Sequence, residues 1–166
     1  MKAKSKRWIG GITWFVLYIA GMLFISFQFA LTVSKNKDRA VMKYKGYYLF
    51  LLDWLTNLEN ERYISDFLEA KGYVNIAVYG GGYISEHLVT QLYRTNISVK
   101  YIIDKSIMKF TSYKVPIYSV NDNLPEVDAI IVTPIWDCEN IRNELSHKVK
   151  YPIISMKDII VRQKNE

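Results

Sequence analysis

Between Trp8 and Val33 the chain runs 26 residues without a charge, WIGGITWFVLYIAGMLFISFQFALTV. Nothing else in the sequence restricts folding as severely. A backbone that leaves water must satisfy its own N–H and C=O groups, and a single segment does so only as a helix. At ~1.5 Å per residue the run covers ~39 Å, enough to cross a ~30 Å hydrocarbon layer with tilt to spare. A secretory leader is the competing reading of an N-terminal apolar run, but its core is usually ~7–15 residues long and ends at a small-residue cleavage site. Here the best cut, after Ala30, puts Gln28 where a small residue is wanted. The expectation is an uncleaved, single-pass anchor of the cell membrane occupying residues 1–34, with the span at about 8–33.

The formal charge of +6 suggests a polyanion as partner, and the position of the charges argues otherwise. Lys2, Lys4, Lys6 and Arg7 precede the apolar run, and Lys35, Lys37, Arg39, Lys43 and Lys45 follow it. Residues 46–166 then hold 13 basic against 15 acidic side chains, about −2 in all. Basic residues crowded beside a span favour anionic lipid headgroups and leave no cationic stripe for tracking nucleic acid. With four basic residues on one side and five on the other, the charge rule for orientation nearly ties. A cytoplasmic globular domain is expected because nucleotide ligands are found there and because Cys138, the only cysteine, allows no internal disulfide.

Residues 35–71 read as a basic juxtamembrane segment followed by a short helical linker. Tyr47, Phe50, Leu51, Trp54, Leu55 and Leu58 recur at helical spacing, and this face must be buried against the globular domain, the membrane surface or another chain. A second short helix carries Ile64, Phe67 and Leu68, with Gly72 as its stop.

From residue 72 onward the pattern is strand and helix in alternation. Val74 to Ser106 reads as strand, glycine turn, helix, strand and acid. The apolar run Ile76–Tyr79 leads directly into Gly80, Gly81 and Gly82, after which Tyr83 opens a helix. Gly80 and Gly82 take the first two positions of a G-x-G-x-x-G turn, one allowing the tight bend and the other a close approach of backbone to pyrophosphate. Ser85 stands at the third, where close packing of helix on strand normally wants no side chain. Asp104 ends the strand Val99–Ile103, 22 residues after Gly82, close to the ~20 at which a carboxylate meets ribose hydroxyls. Val115–Val120 reads as a strand or extended segment, Ala129–Thr133 and Pro152–Ser155 as strands, and Asn140–Lys148 and Lys157–Arg162 as helices.

Apolar strands without alternation point to a parallel sheet covered on both faces. The fold class expected is therefore α/β, a Rossmann-like five-stranded parallel sheet in the order 3-2-1-4-5 over residues 72–166, since right-handed crossovers make the chain reverse from its first strand. Ligands of such sheets sit beyond the carboxyl ends of the strands at the point of reversal. The loops converging there supply the candidate binding residues Gly80, Gly81, Gly82, Tyr83, Ser85, Asp104, Thr133 and Pro134, with Trp136 and Asp137 on the same loop as Thr133. Asp104 favours NAD over NADP by repelling a 2′-phosphate, and Lys105 weakens that preference. Thr133-Pro134 also suits a simple strand-ending turn.

A complete catalytic set is missing. Cys138 has no evident base, since His87 and His147 fall within expected helices; no His, Cys and Asp cluster has metal-ligand spacing. Neither Tyr83, followed by His87, nor Tyr93, followed by Ile97, makes the Tyr-x-x-x-Lys pair of short-chain reductases. Glu86 and Glu144 are expected to solvate helix faces.

The segments GYVNIAVYGGGYISEHL, VKYIIDKS, LPEVDAIIVTPIWDCENIRNEL and YPIISMKDII, spread over Gly72–Ile160, resemble small bacterial Rossmann-like domains encoded among surface-polysaccharide genes. More distantly they are similar to the N-terminal domain of bacterial sugar O-acyltransferases. The resemblance implies an NAD(P) or nucleotide-sugar ligand at Gly80, Gly82 and Asp104, and implies no reaction. The hexapeptide repeats that carry acyl transfer are absent here. Three roles follow as expectations. The first is a membrane-anchored nucleotide or nucleotide-sugar binder, accessory or regulatory in surface-polysaccharide biosynthesis, partnered by a membrane glycosyltransferase or a second copy. The others are an NAD-dependent reductase or epimerase completed by a partner chain, and a structural interaction module with a vestigial site.

Overall fold

A computed structural model describes residues 2–105 and 115–165. The apolar run is helical, within α1 (Lys2–Glu59). Helix does not pause at the polar stretch Ser34–Lys45, which contains no proline or glycine and is rich in good helix formers. Two compact units divide the chain, Met1–Gly46 and Tyr47–Glu166.

In the first unit every described side chain from Trp14 to Lys45 is exposed, including Phe15, Leu23, Phe24 and Ile25. An apolar helix with nothing covering it among the described residues suits an apolar solvent, and this one is long and apolar enough to cross a membrane. Its few hydroxyls are compatible with that solvent. Ser26 and Thr32 each donate to the carbonyl four residues back, Met22 and Gln28, at 2.9 Å.

The second unit is a five-stranded sheet, β1 (Asn75–Tyr79), β2 (Ser98–Ile103), β3 (Ile117–Tyr118), β4 (Ala129–Val132) and β5 (Ile153–Ser155), in the order β3-β2-β1-β4-β5. Every pairing is parallel, with Tyr79 level with Ile103 on one side and Val132 on the other. The expected order and strand direction are thus present. One face carries Ile76, Val78, Ile102 and Ile131 and packs on α2 (Ile64–Ala70), α3 (Tyr83–Leu92), α5 (Met156–Asn165) and the end of α1. The other carries Ala77, Tyr79, Tyr101, Ile103, Ile130 and Val132 and packs on α4 (Cys138–Ser146) through Cys138, Ile141 and Leu145. The strand pattern reads apolar throughout because β1 and β4 are covered on both sides.

The third strand is shorter than the expected Val115–Val120. Asp122 takes the Ser119 N–H at 2.7 Å and returns its own N–H to Ser119 O at 3.0 Å, turning the chain off the sheet edge. Helix α4 begins at Cys138, two residues before the expected start, because Asp137 O accepts the first helical bond, from Ile141 N at 3.0 Å. Gly72 does end α2, at φ +74.

The sequence left the burial of the Tyr47–Leu58 face open, and within the second unit it packs on the domain. Phe50 and Trp54 are buried in the core, Trp54 Nε1 donates to Gln91 at 3.2 Å, and Asn57 Nδ2 donates to the Ile160 carbonyl at 2.9 Å. Leu51 and Leu55, on the flank of the same helix, stay exposed.

Candidate functional site

Helices α3 and α4 leave the sheet on opposite faces, so the loops after β1 and β4 part and a crevice opens between them. The glycine turn crosses one wall of it. Gly80 has φ +100, and a Cβ there would come within 2.7 Å of Thr133 Oγ1 and 3.0 Å of the Pro134 ring. Both the backbone angle and the neighbours therefore require glycine. Gly82 differs completely. It stands extended at the N-terminus of α3, and a Cβ there would meet nothing within 4 Å.

Hydrogen bonds fix the turn from below. Gly80 N donates to Ile103 O at 2.8 Å, and Gly81 N donates to the Asp104 carboxylate. Ser85 is fully buried at the third position, where its hydroxyl donates to the Gly80 carbonyl and lies 2.9 Å from Thr133 Oγ1. Thr133, itself buried, reaches Tyr79 O at 3.0 Å. A hydroxyl between helix and strand thus does what an absent side chain would do, by joining the two rather than yielding space. The first bond within α3 runs from Glu86 N to Gly82 O, and no side chain caps the turn before it. The positive end of the helix dipole faces the open side of Gly82.

The crevice itself, about 360 Å³, is lined by Tyr79, Gly80, Asp104, Lys105, Pro134, Asp137, Asn140, Ile141 and Glu144. Lys105 and Glu144 form an ion pair at 3.0 Å. That bond to Glu144 raises the Lys105 ammonium above its ordinary range. Glu144 therefore does more than solvate a helix face. Burial pushes the Tyr79 hydroxyl upward, Lys105 opposes this, and Glu144, Asp104 and Asp137 add to it. The group is a neutral phenol throughout the physiological range.

Of the candidate residues named from sequence, Gly80, Asp104 and Pro134 line the crevice, Gly81 and Ser85 hold the turn, and Thr133 is committed beneath it. Tyr83 is 82% exposed at the start of α3. Trp136 is half exposed, with the Lys157 ammonium 5.9 Å from its ring centre. Tyr79, Asn140 and Glu144 escaped sequence reasoning as site residues. A signal existed for the latter two, because Asp137, Asn140, Ile141 and Glu144 follow the spacing of one helical face opening directly after β4.

Cys138 is buried, and burial raises its thiol, which disfavours the thiolate. No metal-binding group of His, Cys, Asp and Glu occurs among the described residues.

The class defined by these features is an α/β domain with a parallel sheet of order 3-2-1-4-5 and a long, exposed, apolar N-terminal helix. No protein-family model, curated protein or solved structure matches the chain.

Proposed function

We propose that this chain is a membrane-anchored, Rossmann-like domain that binds a nucleotide or nucleotide-sugar and serves bacterial surface-polysaccharide biosynthesis as an accessory or regulatory component. One observation carries the binding: an uncapped, exposed helix N-terminus behind Gly82, two residues along the chain from Gly80, which lines a crevice where the sheet reverses direction. Backbone N–H groups and the helix dipole at such a place favour a phosphate. The pathway is proposed on the resemblance of Gly72–Ile160 to domains encoded among polysaccharide genes, and a helix long and apolar enough to cross a membrane supports the anchored role. An accessory role fits the absence of a catalytic set among the described crevice residues, whose polar groups are three carboxylates, one paired lysine, an amide and a phenol.

The test is binding by the full chain in detergent micelles, followed by thermal unfolding with NAD, NADP, UDP-sugars, CMP-sugars or coenzyme A. One class of ligand raises the unfolding temperature, and Gly82→Trp, which fills the open space, removes the effect without changing the unliganded transition. If no ligand stabilises the chain, or if Gly82→Trp binds as the parent does, the proposal fails. An interaction module is the second reading, favoured by the apolar groove of Leu51, Trp54, Leu55 and Leu58 against His87, Thr90 and Gln91.

A further inference from the structure

Over Tyr47–Leu58 helix α1 has two apolar faces, and its own domain covers one of them. Phe50 and Trp54 turn into the core, whereas Tyr48, Leu51, Leu52 and Leu55 lie outside it, with Tyr48 61%, Leu51 45% and Leu55 52% exposed. Single exposed apolar side chains are ordinary, but four on one short stretch of helix form a patch, and a patch marks an interaction surface.

The spacing of the outer face says what covers it. Tyr48, Leu51 and Leu55 stand three and four residues apart, and the sequence carries the same alternation back through Tyr44 to Val41, both exposed as well. Lipid covers apolar side chains at any spacing, since the hydrophobic effect has no direction. A 3-4 alternation is instead the a and d seam of a coiled coil, which interlocks with a second helix of the same kind. The exposed seam has clear ends. Leu58, the next position forward, is half-buried against the core, and the preceding positions are Lys37 and Ser34.

A groove of about 330 Å³ lies beside the seam, between Leu51, Trp54, Leu55 and Leu58 on α1 and His87, Thr90 and Gln91 on α3. In a parallel pair of helices the e residue of one meets the g residue of the other. With Tyr48 at a, Leu52 falls at e and Trp54 at g, so Leu52 of a second copy arrives on the groove side. Anchors in one bilayer point all copies the same way, and identical parallel helices bring each seam residue onto itself across a two-fold axis. Covering the exposed parts of Val41, Tyr44, Tyr48, Leu51, Leu52 and Leu55 removes about 600 Å² from each copy, about 1,200 Å² in all, the low end of specific interfaces. At that size, pairing depends on confinement to the bilayer, which raises the local concentration of copies, and dilution into detergent separates them.

We propose that a second copy of this chain covers the outer face of α1, the two helices forming a parallel coiled coil along Val41–Leu55. The pairing stands on the helix alone and holds whether or not the crevice takes a nucleotide.

The experiment is disulfide trapping in membranes of cells expressing the full chain at low density, in a Cys138→Ala background that leaves one introduced cysteine. Leu51→Cys and Leu55→Cys lie on the seam; Thr56→Cys, also at an exposed position of α1, falls at b, outside it. Oxidised with copper-phenanthroline, both seam variants run as covalent dimers on a non-reducing gel, about tenfold more than Thr56→Cys, since a disulfide closes only where Cβ atoms approach to about 4 Å. Adding Tyr48→Glu to Leu51→Cys abolishes the dimer. Equal trapping at all three positions reports random collision and overturns the proposal. No dimer at either seam position, or a covalent adduct with a different protein, overturns it as well, because lipid or an unlike partner then covers the face.

Discussion

Gly80 and Gly82 are two residues apart in the same turn, and replacing each with alanine separates a structural requirement from an open face. At Gly80 the new Cβ sits on a backbone of φ +100, a conformation that costs a side chain about 1–3 kcal/mol. It also lies 2.7 Å from Thr133 Oγ1, too close to remain. Thr133 cannot swing aside freely, because its hydroxyl is bonded to Tyr79 O at 3.0 Å and lies 2.9 Å from Ser85 Oγ. Giving up the bond to Tyr79 O adds about 1 kcal/mol, and the Pro134 ring at 3.0 Å blocks the other direction. The total for Gly80→Ala is about 2–4 kcal/mol. At Gly82 the Cβ meets nothing and φ is −95, so Gly82→Ala is neutral or, by restricting the unfolded chain, stabilising by about 0.4–1 kcal/mol. Differential scanning fluorimetry of the two variants in detergent reads the contrast as a fall of roughly 10–20 °C against a change within a few degrees. If the two unfold within 3 °C of each other, the turn is not held as described and the assignment of Gly82 to a ligand loses its basis.

Three further outcomes are expected. Trp54→Ala, which removes a core side chain and its bond to Gln91, destabilises the chain by about 3–5 kcal/mol in thermal unfolding, whereas Leu55→Ala on the exposed flank changes it by less than about 0.5 kcal/mol. Phe24→Lys, a charge near the middle of the exposed apolar helix, opposes insertion by about 2.5–3.5 kcal/mol and increases the alkaline-carbonate-extractable fraction of the chain. Stability declines as pH rises past about 9, read by unfolding temperature across pH 7.5–10.5. Cys138, Tyr79 and Tyr101 all hold their protons more tightly when folded, so the unfolded chain ionises first, and Cys138→Ala flattens the early part of the decline.

Sequence alone determined the elements whose cause is local. A charge-free run of 26 residues has one way to satisfy its backbone in an apolar medium, and it is helical. Continuous apolar strands separated by helices leave little choice but a parallel sheet, and the handedness of crossovers then orders it 3-2-1-4-5. The glycine turn was legible because Gly80 stands between a strand and a helix with no room for a gradual bend.

Tertiary structure decided what depends on which distant side chains meet. Tyr47–Leu58 had three surfaces to choose from in sequence, and packing buried Phe50 and Trp54 while leaving Leu51 and Leu55 outside. For Thr133 the sequence left a ligand contact and a strand-ending turn equally open, because a hydroxyl at a strand end says nothing of which distant carbonyl it will meet; in the fold it donates to Tyr79 O. Glu144 lies on a solvated-looking helix face, and only the approach of β2 to α4 brings Lys105 to it. Tyr79 reads as one more apolar strand residue. Its hydroxyl is buried with no partner among the described residues, and that is a property of the assembled fold.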